Sequence, residues 1–195
     1  MKNLLSLLIA GALFFLLGGC SGKTIHMYTL DAAGNLPRVH PRFSAIRVDY
    51  PKGIEDTMGT RIYFSRSDLT QSYYGYSQWS KSLNRILMAN LIEALQRSGI
   101  ARNVLDYASQ ADAPYELECT VYRFEHQITP QGSTAEISIG LRLIRTEDKK
   151  LIASKIFNYS IPCTQTDARG FVEAANRAIF RLSTDMIRWL SSVRR

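Results

Sequence analysis

The hydrophobic and polar positions sort this chain into segments of very different kinds. Leu4–Leu17 is a run of fourteen residues in which Ser6 is the only polar interruption. Residues 21–43 show little periodicity and hold Gly22, Gly34, Pro37 and Pro41, which predicts a tether with a short strand at His26–Leu30. Ser44–Tyr50 predicts a strand ended by Pro51 and Gly53, and Arg61–Phe64 and Thr70–Tyr74 predict a hairpin around Ser65–Asp68. From Leu83 the period changes. Leu83, Ile86, Leu87, Leu91, Ala94 and Leu95 recur at helical steps, with Ser77 or Ser80 as the cap and Gly99 where a left-handed C-terminal cap belongs.

Three strands are predicted next. In Tyr115–His126, Leu117, Cys119 and Val121 alternate with polar residues, and the phase then shifts to Tyr122 and Phe124, which predicts a bulge or cover on both faces. Ala135–Leu143 alternates cleanly, and Leu151–Ile161 follows. The loops between them are short enough only for antiparallel neighbours. A final helix, about Ala168–Ser191, carries an apolar stripe from Phe171 to Leu190, with Thr166 or Asp167 as its cap. The expected fold is therefore α+β: a two-layer sandwich of a mostly antiparallel sheet and two amphipathic helices.

The leading apolar run changes the picture of the N-terminus. Lys2 precedes it, and its length falls short of the roughly 20 residues that span a bilayer, so residues 1–19 read as a signal peptide. Leu17-Gly18-Gly19-Cys20 resembles the lipobox of bacterial lipoproteins. That resemblance implies cleavage before Cys20, a diacylglycerol on its sulfur and an acyl chain on its amine. Three such chains anchor essentially irreversibly, at about 0.8 kcal/mol per buried methylene. Ser21, rather than Asp, follows the lipobox Cys; by the sorting rule of enteric-type bacteria this implies the inner leaflet of the outer membrane, with the protein facing the periplasm. Residues 20–43 are then a lipidated tether and residues 44–195 one domain.

Composition narrows the function. A net charge of +7 without a block of five Lys or Arg is a mildly basic surface, suited to anionic headgroups or an acidic partner rather than to nucleic acid. His26, His40 and His126 lie in separate segments with no metal-ligand spacing, and Gly75-Tyr76-Ser77-Gln78-Trp79 ends in Trp where a nucleophile elbow needs Gly. Neither an enzyme nor a bound cofactor is expected. Cys119 and Cys163 remain in an oxidising compartment. In a meander, however, Cys119 faces about Leu141 and residue 163 faces about Ser133, some 26 Å away at ~3.3 Å per residue. A bridge needs Cα atoms within about 7 Å, so Cys119 is expected as a buried free thiol.

The lipobox, Tyr28-Thr29-Leu30, SAIRVDYP, the block YSQWSKSLNRILMANLIEALQRSG and the strand YELECTVYRFE together resemble the ABC-type transport auxiliary lipoproteins (PqiC-like) over nearly the whole mature chain. The resemblance implies an outer-membrane lipoprotein that acts with MCE-domain tunnel proteins and an inner-membrane permease and ATPase in lipid traffic, with homo-oligomerisation possible. A periplasmic lipid carrier and a structural envelope lipoprotein are the alternatives. Tyr73, Tyr74, Tyr76 and Trp79 precede the first helix. Trp79 is expected in the core, and Tyr74 and Tyr76 are the candidate partner contacts. The rival surface is the Arg177, Arg181 and Arg188 stripe, which would lie on anionic lipid.

Overall fold

The computed structural model describes residues 23–31, 34–53 and 58–194. In chain order the elements are β1 (His26–Tyr28), β2 (Phe43–Val48), β3 (Lys52–Gly53), β4 (Arg61–Arg66), β5 (Gln71–Trp79), α1 (Leu83–Ser98), β6 (Ala101–Asp106), β7 (Tyr115–Thr129), β8 (Gly132–Arg145), β9 (Lys150–Pro162) and α2 (Ala168–Ser192). The chain is α+β, with an open sheet centred on β7.

Along one side of β7 runs β8, and β9 continues the antiparallel meander. Its register is the expected one: Cys119 faces Leu141, and the Cys163 N–H donates to the Ser133 carbonyl at 2.9 Å. Both cysteines are free, and Cys119 is buried; burial alone pushes its thiol up to about 12. The register slips between Val121 and Arg123. This is a bulge that sends Tyr122 outward and Phe124 into the core. Tyr122 lies over Gly140, where a Cβ would come within 2.7 Å of its ring.

The other side of β7 is where the sheet departs from antiparallel pairing. There β2, β3 and β4 pair with it one after another, all parallel, and β6 and β1 add parallel to β2 and β5. Only the hairpin β4–β5 is antiparallel on this side. The sheet is mixed: long antiparallel ladders on one side of β7, short parallel ones on the other. Alternation along a strand fixes which face is buried, not which strand lies beside it.

Both helices bury their stripes in one continuous core with the sheet. Helix α2 starts as expected, with Asp167 Oδ1 accepting from the Gly170 N–H at 2.7 Å. Helix α1 ends on Gly99 in the left-handed conformation, φ 72°. Its start differs from expectation. The cap is Ser82, whose side chain makes no capping bond; β5 runs on to Trp79, taking Ser77 into a ladder with His26, and the Ser80 N–H donates to the Tyr28 carbonyl. The Leu83 N–H donates instead to the Gly59 carbonyl. Trp79 is 1% exposed, its ring 6.0 Å from Phe124 and 6.2 Å from Phe171. Within the stretch read as tether, Leu30 is buried, the Val39 and Arg42 N–H groups donate to Ser98 and Ile100 carbonyls, and Gly34 lies close against Phe180.

Candidate interaction surface

Cys20 and Ser21, the expected lipidation and sorting residues, lie outside the described residues. Lys23 leads through Thr24 and Ile25 into β1. β1 runs parallel to β5, with His26 beside Ser77 and Tyr28 beside Trp79. The N-terminus therefore enters from the hairpin end of β5. The Lys23 ammonium sits 4.7 Å from the centre of the Tyr76 ring.

This corner leaves large apolar side chains in solvent. Met27 is 66% exposed, Ile25 51% and Tyr76 50%. At the turn of the β4–β5 hairpin, Leu69 is 97% exposed and has φ 66°, a left-handed backbone that a leucine seldom adopts. Local bonds hold it there. The Arg66 N–H donates to the Thr70 carbonyl, the Leu69 N–H donates to the Arg66 carbonyl, and Asp68 Oδ1 accepts from the Thr70 hydroxyl and N–H. The Thr70 bonds, the hydroxyl's first, hold the Asp68 carboxyl below its usual range. Cations are interleaved: Arg66 lies over Phe64 at 5.3 Å and Arg61 over Tyr73 at 4.4 Å.

The base of the hairpin is tied to the body by two groups on β7. Glu125 accepts from Ser65, from Gln71 at 3.1 Å and from Arg123 at 2.6 Å. Burial raises its carboxyl, but the bonds from Ser65, Arg123 and Gln71 outweigh that and hold it low. His126 has no exposed surface. Its Nδ1 shares a 2.7 Å hydrogen bond with the Tyr74 hydroxyl, and its ring stacks on Phe171 at 5.5 Å. Burial pushes the imidazole down to about 4, opposed by the Asp167 carboxylate, and the same burial raises the Tyr74 phenol. Its Nε2 has no hydrogen-bond partner among the described residues.

The two tyrosines singled out from the sequence are thus separated in role. Tyr74 is half-buried with its hydroxyl turned inward to His126, while Tyr76 presents its ring to Lys23 and solvent. The Tyr74–His126 contact was missed in the sequence, where the two residues fall in different predicted strands. The rival arginines Arg177, Arg181 and Arg188 are all exposed on α2; Arg177 donates to the Pro162 carbonyl and Arg188 pairs with Asp185.

Two further features lie on other parts of the surface. A groove of about 460 Å³ opens beside the start of α1, with Leu30, Ile86 and Met88 as apolar lining and Lys81 and Arg85 at its edge. Asp49, Glu116 and Glu118 bring their carboxylates within 4.8 Å of one another. Asp49 pairs with Lys52 and Glu118 with Arg142, so this group reads as a cross-strand charge network.

A family model for the ABC-type transport auxiliary lipoprotein component matches residues 28–187, most of the chain. The chain belongs to this family. The matched range runs from the end of β1 into α2 and so includes the β4–β5 hairpin as well as the meander. Among solved structures, a Xanthomonas campestris protein is 22% identical with a TM-score of 0.69, over 86% of this chain and 91% of that one. A hypothetical protein from Chlamydia trachomatis gives a TM-score of 0.52 at 7% identity, over 76% of this chain and 98% of that one. Both likenesses establish the fold. An uncharacterized protein of Bradyrhizobium diazoefficiens is 23% identical over 174 residues, 88% of this chain but 46% of the relative, so the chain spans about half that relative's length. The family is one of transport auxiliary components rather than of enzymes.

Proposed function

We propose that this auxiliary lipoprotein is anchored by acyl chains on Cys20 to the inner leaflet of the outer membrane. There it serves as a docking component for an MCE-type lipid-transport system in the periplasm. The observation that carries this reading is the family match over residues 28–187, which places the chain with auxiliary components of ABC transport. The fourteen-residue apolar run ending at Leu17-Gly18-Gly19-Cys20 supports the anchor. Ser21 supports outer-membrane sorting. The partners would be an MCE-domain tunnel protein with its permease and ATPase, so the chain itself would need neither nucleotide nor cofactor.

Affinity purification of the tagged chain from crosslinked membranes, with mass spectrometry of what accompanies it, tests the reading. An MCE-domain protein or its permease should be enriched over a control outer-membrane lipoprotein. Enrichment of neither would remove the docking role.

A further inference from the structure

Three observations on the β4–β5 corner belong together. The first is direction: Lys23 lies three residues beyond Cys20, a span of at most about 11 Å even if fully extended. Lys23 is held on the Tyr76 ring, and β1 runs parallel to β5 from the hairpin end. The second is chemistry. Ile25, Met27, Leu69 and Tyr76 are exposed, and Lys23 and Arg66 lie among them. Apolar and aromatic side chains mixed with cations suit the boundary between anionic headgroups and acyl chains. The third is the cost accepted at Leu69. A leucine with φ 66° and almost no protein contact gains nothing from the fold by being apolar, and its backbone is strained.

We propose that this corner is a membrane-contact surface, resting on the bilayer that holds the acyl chains of Cys20. Leu69 at the hairpin turn dips into the interface. Tyr76, Ile25 and Met27 lie along it, and Arg66 and Lys23 meet anionic headgroups. Asp68 is the one acid at the turn, and its carboxylate is engaged chiefly by Thr70, with Arg66 contributing a smaller electrostatic attraction. Contact at this corner fixes the orientation of an otherwise tethered domain, with the β7–β8 turn at the same end of the sheet as the hairpin and the Tyr115 end of β7 pointing away from the bilayer. The proposal rests on the anchored reading of Cys20.

The test uses the lipidated full chain in vesicles of phosphatidylethanolamine and phosphatidylglycerol. Leu69→Trp adds one indole to Trp79 and Trp189, whose background is measured in the unsubstituted protein. The added emission should be blue-shifted. Lipids brominated near the headgroup end of their acyl chains should quench it by about twofold or more, as for an indole at the interface. Arg66→Glu in the same background should bring quenching back towards the control. Vesicle flotation and fatty-acid labelling at Cys20 are read on the same samples. If the protein floats and is labelled but the introduced indole stays in water, the membrane contact is wrong and the anchor stands. Shielding of that indole only on adding a partner protein would likewise overturn the proposal in favour of a protein interface. Failure to label or float removes the anchor and the proposal together.

Discussion

Strand β5 carries its aromatic rings into two opposite environments within a few residues. At its C-terminal end Trp79 is enclosed by Phe124 and Phe171, and His126 stacks on the far side of that cluster against Phe171. Three residues earlier Tyr76 has half its surface in water and only a lysine over its face, and beyond the strand's other end Leu69 is almost wholly bare. The enclosed end has its partners within the fold: helix α2 supplies Phe171, and β7 supplies Phe124 and His126. Apart from the Lys23 and arginine contacts, the open end has no packing partner for Leu69 among the described residues, yet it keeps residues that a solvated edge would not need. Burial explains the first set of residues. The second requires something outside the fold.

The largest effect belongs to the enclosed end. Trp79→Ala removes the ring that Phe124 and Phe171 pack against and should cost about 3–5 kcal/mol in denaturant unfolding. A loss below about 1 kcal/mol would mean that the cluster relaxes around the gap and is not the core it resembles.

Acid should weaken the same end next. His126 is neutral in the fold, with its pKa pushed down to about 4, whereas in the unfolded chain it takes a proton near its ordinary value of 6.5. Between those two values the unfolded state binds more protons, so stability is fully present above about pH 6.5 and is lost as pH falls towards 4. The loss should be on the order of 1–3 kcal/mol. Carboxylates add their own acid sensitivity, so the diagnostic is the difference from His126→Phe, which should lose less stability over that window. Parallel pH curves for the two proteins would show that His126 is not the titrating group.

The smallest effect is expected at the open end. Tyr76→Ser should leave unfolding stability within about 0.5 kcal/mol of the unsubstituted protein, because half its surface already lies in water and the Lys23 contact is an exposed one. A fall comparable to that of Trp79→Ala would make Tyr76 part of the packed body and erase the contrast between the two ends.

The same contrast marks what could be read from the sequence. The meander was legible down to its register, with Cys119 opposite Leu141, because three long alternating strands joined by short turns leave few arrangements. The two helical stripes and the cap at Gly99 were legible for similar local reasons, and the α2 cap was narrowed to Thr166 or Asp167. The strand Ala101–Asp106 was not. ARNVLD is short and mixed, and it becomes a strand by lying parallel to β2 rather than through its own pattern. Nor was the full length of β5 legible. Gly75 and Ser77 look like loop residues, and the register slip against β4 hides the alternation that would have joined Tyr73 to Trp79. The exposed tyrosines could be named from composition. That Tyr74 turns to His126 while Tyr76 meets the incoming N-terminus depends on two parallel pairings, β1 with β5 and β4 with β7, which no local signal announces.

Membrane contact at the open corner, and docking from the outer membrane, both require the acyl anchor at Cys20. Growing cells on an alkyne fatty acid, then recovering the chain and its Cys20→Ala variant, tests this directly. The unsubstituted chain should carry the label and migrate as the processed form, while Cys20→Ala should be unlabelled and either unprocessed or soluble. Equal labelling of the two proteins, or none of either, would contradict a lipid anchor at this position.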